Sequence, residues 1–173
     1  LASLFGGGAV LRAVHPWIGV VLFVSFTGMF LRFWSSNLWT RADTEWLKNA
    51  GNVAANHEER VPEVGKYNAG QKLVFWAMSL LIIGLIVSGL VIWDAYFAAY
   101  TTIDAKRLAL LAHAMAAVAI IVVWIVHVYA AIWVRGTIAA MTKGSVTAGW
   151  AYRHHRKWLR EEAASGNKAN PAE

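Results

Sequence analysis

The sequence predicts an all-α membrane protein built as a transmembrane helix bundle, and three observations carry that prediction. Residues 108–134 contain no Asp, Glu, Lys, Arg, Pro or Gly, a longer apolar run than the about 20 residues a helix needs to cross a bilayer core. Two further apolar runs, about residues 10–34 and 71–93, are also of spanning length. Hydrophobic residues make up 58% of the 173-residue chain, which holds 10 Trp and is too apolar and segmented for an ordinary soluble domain.

The composition also excludes several chemistries. The chain has no Cys, so it holds no disulfide framework, thiolate zinc site or iron–sulfur cluster of its own, and any cluster must sit on a partner. Its net charge of +6 comes from Lys and Arg placed between and after the apolar runs. That pattern expresses membrane topology rather than a nucleic-acid stripe.

The first residues, LASLFGGGAV, lack the basic flank of a signal peptide, and residues 1–9 are expected outside the membrane. The first span carries Arg12 and the pair His15-Pro16 near its start. Proline costs nothing in the first turn of a helix, where its missing N–H would have no partner, so His15 is expected at the helix entrance. Arg12 suits an interfacial anchor that snorkels to the headgroups.

Residues 35–70 form a long polar connection, the kind usually tied to function or partner binding. Within it TRADTEWLKNA reads as a short interfacial helix with Thr40 or Asp43 as its N-cap. His57, among polar neighbours, reads as a solvated loop residue. GKYNAGQK then leads directly into the second span, with Asn68 placed to cap it and Gly70 permitting close approach of a ligand or another backbone. The segment reads either as a capped interfacial turn or as a polar pocket for a small carbonyl ligand such as a quinone headgroup. Asn and Gln side chains and helix-terminal amides suit the carbonyl oxygens of such a ligand.

The connection between the second and third spans has only Lys106 and Arg107 as cations, whereas the first connection and the tail after Val134 are richly basic. The positive-inside bias therefore puts residues 35–70 and the tail in the cytoplasm, and the 94–107 connection outside. The tail, residues 135–173, has an interfacial segment punctuated by Gly136 and Gly144, then a basic aromatic patch, YRHHRKWLRE. His154 and His155 read there as surface residues facing headgroups or a partner, with proton delivery as the sharper alternative. The last ten residues read as a disordered end.

The third span, about residues 106–134, carries two imidazoles, His113 and His127, fourteen residues apart. Fourteen steps of about 100° return a side chain to within about 40° of its starting direction, after a rise of about 21 Å. Both therefore lie on one face, near opposite sides of the bilayer. Intramembrane ionisable groups lean functional, and this spacing suits two haems stacked across the membrane, each taking one axial imidazole from this helix. The plainer reading makes each His a helix–helix hydrogen-bonding residue. By depth, His15 pairs with His113 on the outer side, while His127 has no intramembrane His left to pair with. Arg12, beside His15, is a candidate partner for a haem propionate.

HPWIG, GKYNAGQK-x-x-FW, LLAHA, H-V-Y-x-A-x-WV-R-G and HH-x-x-W occur in this order. Together they resemble the gamma subunit, cytochrome b556, of membrane-bound respiratory formate dehydrogenase, from about residue 11 to residue 161. The resemblance implies four transmembrane helices of dihaem cytochrome b type, of which three are seen here. It implies electron transfer from a molybdenum or tungsten catalytic alpha subunit, through an iron–sulfur beta subunit and two b haems, to menaquinone or ubiquinone. It assigns His15 and His113 to the outer haem iron, His127 to the inner one, and Asn68, Gly70 and Gln71 to quinone. The family's first helix, which supplies the other inner ligand, is missing from these residues, so the inner haem stands in doubt. The implied setting is the bacterial inner membrane with a cytoplasmic C-terminus. The nearest alternatives are the cytochrome b of a hydrogenase or of another quinone-linked molybdoenzyme, and, from a different class, a haem-free membrane anchor.

Overall fold

A computed structural model describes residues 2–55, 57 and 61–166 of the chain. In order its helices are α1 (Gly8–Phe33), α2 (Arg41–Lys48), α3 (Ala50–Ala54), α4 (Ala69–Ile92), α5 (Asp94–Phe97), α6 (Ile103–Trp133), α7 (Thr137–Lys143), α8 (Ala148–His154) and α9 (Arg156–Ala164). Short 3₁₀ turns lie at Ala2–Phe5, Trp34–Asn37 and Ala98–Tyr100, and there is no strand among the described residues. The end of the tail expected to be disordered, from residue 167, lies outside the described residues, as do Arg60 and Lys168.

Three helices have bilayer length. α1, α4 and α6 contain 26, 24 and 31 residues, against the about 20 that a hydrocarbon core requires. Their surfaces invert the usual pattern. Val24, Leu80 and Leu108 are each about two-thirds exposed, while Ser79, Ser88 and Lys72 are buried. Lipid accepts the exposed apolar side chains, and polar groups retreat to the interior, where hydrogen bonds satisfy them.

One expectation is corrected here. Pro16 does not sit in the first turn: α1 begins at Gly8, so Pro16 lies inside the helix and His15 lies two turns in rather than at the entrance. Gly6 and Gly7, both at positive φ, set the true start, and the apolar Ala9, Val10 and Leu11 extend the helix ahead of the proline. The missing Pro16 N–H leaves the Arg12 carbonyl without its helical donor, a defect that membrane helices tolerate.

The chain divides into two compact units. The first comprises Leu1–Trp34 with Ala77–Trp124. In it Trp17, Trp93 and Tyr96 form an edge-to-face cluster with ring centres 4.9–6.0 Å apart. The connection after α4 is itself helical, because Asp94 supplies a negative charge to the N-terminal turn of α5. Asp94 also pairs with Lys106.

The second unit comprises Ser35–Trp76 with Ile125–Glu173. Thr40, not Asp43, caps α2, and Asp43 serves as the reciprocal partner: its Oδ2 accepts from Thr40 N–H at 2.7 Å and Thr40 Oγ1 at 2.6 Å. The same oxygen accepts from Lys72 Nζ at 2.7 Å, and Lys72 also donates to the Leu38 carbonyl. Trp76 Nε1 donates to the Asn37 carbonyl at 2.9 Å. These bonds fasten the polar connection onto the first two turns of α4.

α7 is bracketed as expected by Gly136 and Gly144, at φ +91° and +68°. At Gly136 even a methyl group would lie 2.8 Å from Trp150 Cδ1. That closeness lets Trp150 Nε1 donate to the Arg135 carbonyl at 2.9 Å, which folds α8 back against the end of α6.

Candidate functional site

In the first unit, His15 on α1 and His113 on α6 face each other. Their ring centres are 6.0 Å apart and their planes cross at 80°. Two imidazoles on opposite sides of one metal ion, each bond about 2 Å long, leave ring centres about 6 Å apart. Haem brings four nitrogen ligands of its own, so this pair of residues suffices to hold it. His113 is half-buried and His15 exposed. Arg12 lies one turn ahead of His15 on α1, with no ion pair to a described residue.

Residues that the sequence did not single out complete the surroundings of His113. Its Nδ1 is 2.9 Å from Ser88 Oγ on α4, and a Cβ on Gly89 would lie 3.5 Å from its Cε1. The available signal was Ser88-Gly89 itself, two adjacent small residues in a largely apolar run. The register between two helices cannot be read from one of them, so the pairing stayed hidden.

In the second unit, Asn68, Gly70, Gln71 and His127 line one cavity of about 1090 Å³, together with His154, His155 and aromatic side chains including Trp46 and Trp150. Asn68 caps α4 as expected, and the cap is reciprocal: Asn68 Oδ1 accepts from Gln71 N–H at 3.0 Å, and Gln71 Oε1 accepts from Asn68 N–H at 2.9 Å. Both carboxamide oxygens are thereby occupied, and both NH₂ groups remain as donors for a carbonyl. Gly70 admits the Trp46 ring, whose nearest atom would lie 3.5 Å from an added Cβ.

His155 is not the surface residue its basic neighbourhood suggested. It is 3% exposed, its Nδ1–H donates to the Gly65 carbonyl at 2.9 Å, and its ring stacks on Trp150 at 5.1 Å. The neighbouring Arg160 pairs with Glu63, holding that carboxyl below the ordinary glutamate range. His57 is exposed, as expected.

Bilayer-length helices that carry a facing pair of imidazoles define the class as a membrane cytochrome of the b type. Residues 1–144 match the family described as prokaryotic cytochrome b561, and the chain belongs to that family. It is 48% identical over 161 residues to the formate dehydrogenase cytochrome b556(fdo) subunit of Escherichia coli K12, covering 93% of this chain and 75% of that one. It is 41% identical to the nitrate-inducible cytochrome b556(Fdn) subunit of the same organism, over 97% of this chain and 78% of the relative. The formate dehydrogenase cytochrome b556 subunit of Haemophilus influenzae is 37% identical, over 95% and 69%. The resemblance drawn from the motifs is therefore borne out, as is the helical membrane fold.

Proposed function

We propose that this chain is the electron-transfer subunit of a quinone-linked respiratory formate dehydrogenase, anchoring the complex in the bacterial inner membrane without itself binding formate. The observation that carries the reading is the 6.0 Å facing pair of His15 and His113, in a chain 37–48% identical to formate dehydrogenase cytochrome b556 subunits. His15 and His113 hold the outer haem iron, His127 serves an inner one, and Arg12 meets a propionate. Bound haem supplies a one-electron Fe(III)/Fe(II) couple.

Quinone takes up two electrons and two protons to become quinol, and the donor-lined wall of the second unit suits its carbonyl. The Asn68 and Gln71 NH₂ groups orient that oxygen and stabilise the negative charge that builds on it during reduction. Gly70 lets the Trp46 ring pack against the start of α4 beside those donors. With the basic tail in the cytoplasm, protons for the quinol enter from that side. An iron–sulfur subunit and a molybdenum or tungsten catalytic subunit stand outside, so each turnover separates charge across the membrane.

Spectroscopy of the purified complex tests this directly. Formate should reduce the b-type α-band, and a quinone analogue should reoxidise it. A band that formate leaves oxidised while hydrogen reduces it would transfer the chain to a hydrogenase. A complex with no Soret band would make it a haem-free anchor.

A further inference from the structure

The haem reading leaves Ser88, a buried polar residue on α4, without a role. Ser88 is 6% exposed, near the C-terminal end of α4, and its hydroxyl touches both its own helix and His113. Ser88 Oγ lies 2.6 Å from the Gly84 carbonyl, with the Leu85 carbonyl further off at 3.3 Å, and 2.9 Å from His113 Nδ1.

A hydroxyl has one proton to give and two lone pairs to offer. A carbonyl cannot donate, so the short contact to Gly84 fixes the Ser88 proton on that oxygen. Toward His113 the hydroxyl can then only accept, and Nδ1 must carry the hydrogen. With Nδ1 protonated, the lone pair of the neutral ring lies on Nε2, which is the nitrogen left to bind a metal. Gly89, one residue on, leaves room for the ring against the α4 backbone, since its missing Cβ would stand 3.5 Å from Cε1.

We propose that Ser88 is a positioning residue for the outer haem, fixing His113 as the Nδ1–H tautomer so that Nε2 faces the iron, and tuning that imidazole by accepting its Nδ1–H. This rests on the reading of His113 as an axial ligand. A hydrogen bond accepted from the distal N–H makes the imidazole a stronger electron donor, which favours Fe(III) over Fe(II). Removing the bond should therefore raise the potential of that haem and loosen its binding.

The test compares S88A, S88T and H113A in the haem-loaded membrane complex, reading haem per chain and the midpoint potential of each haem. S88A should raise the outer potential by an amount corresponding to a severalfold to tenfold change in Fe(III)-over-Fe(II) preference, at most about 59 mV for one electron. The inner haem should not move. S88T, whose hydroxyl can bond the same i−4 carbonyl, should restore the original value. Should S88A fail to assemble, recovery of haem content and potential by S88T, together with failure by S88V of the same shape, would carry the same meaning. An S88A complex with the original potential and haem content would overturn the role of Ser88, as would S88T and S88A behaving alike. Full haem content in H113A would instead overturn the ligand assignment beneath it, so the two failures are distinguishable.

Discussion

Lys72 and Asp43 form a buried ion pair, with Nζ 2.7 Å from Oδ2 and both side chains less than a tenth exposed. The carboxylate accepts three hydrogen bonds, from Lys72 and from the Thr40 amide and hydroxyl. Burial alone would raise its pKa, but those bonds and the Lys72 charge outweigh it and hold the group below the ordinary aspartate range. The pair clamps α2, and with it Trp46, onto the start of α4 where the Asn68–Gln71 cap lies.

Breaking one side of that pair leaves a buried charge without its partner. Either D43N or K72M should therefore cost about 3–5 kcal/mol, read as a lowered unfolding midpoint of the complex in detergent. Replacing both with apolar residues of similar volume should recover most of the loss. Single variants with unchanged midpoints would show that the pair contributes nothing.

The capping geometry separates stability from quinone binding. N68D and Q71E keep the oxygens that accept the two backbone N–H bonds and lose the NH₂ donors. They should leave the unfolding midpoint near its original value while raising the KM for quinone up to about tenfold, the equivalent of one lost hydrogen bond of about 1.4 kcal/mol. N68A should show the same KM effect and lose about 1 kcal/mol of helix cap as well. Unchanged KM in both N68D and Q71E would remove this wall from the quinone site.

Gly136 is a position where a side chain has no room. Its φ of +91° and the 2.8 Å approach of Trp150 to an added Cβ make G136A doubly unfavourable. The backbone part alone is about 1–2 kcal/mol. Limited proteolysis of the membrane-bound complex should cut α8 and α9 faster in G136A. Equal cutting rates would mean that the tail docks without Trp150.

The Glu63–Arg160 pair gives the tail an acid-sensitive tie. Arg160 lowers the Glu63 pKa, and Glu63 raises that of Arg160. A depressed carboxyl contributes stability that is fully present above its unfolded pKa of about 4.3 and lost as pH falls through the lower folded value. The arginine side is lost only at extreme alkalinity. The Arg160 side chain is two-thirds exposed and that of Glu63 more than a third, so the effect is small and weakens with salt. Hydrogen exchange in α9 should rise on acidification below the ordinary glutamate range, and E63Q should show the faster exchange already at neutral pH. Identical profiles would leave the pair without effect.

The three long helices were legible because a membrane span needs nothing but length and apolarity, and residues 108–134 announce both. The Asn68 cap and the Gly136–Gly144 brackets were legible because they depend on neighbours in sequence. The position of His15 was misread because the preference for proline in a first turn describes helices in water, whereas α1 starts two turns earlier in an apolar setting that tolerates Pro16 within. Three contacts could not be seen: Ser88 with His113 at 25 residues' separation, Asp43 with Lys72 at 29, and Gly65 with His155 at 90. Each depends on the register between elements, and a basic run such as YRHHRKWLRE gives no sign that one of its histidines is buried.

The facing imidazoles of His15 and His113 are the centre of the functional reading, and a pyridine haemochrome assay with protein quantitation tests them most directly. The purified complex should give a b-type haemochrome spectrum, and H15A and H113A should each lose one haem per chain while the rest of the complex stays assembled. A parent complex without haem b, or histidine variants that retain it in full, would contradict the assignment.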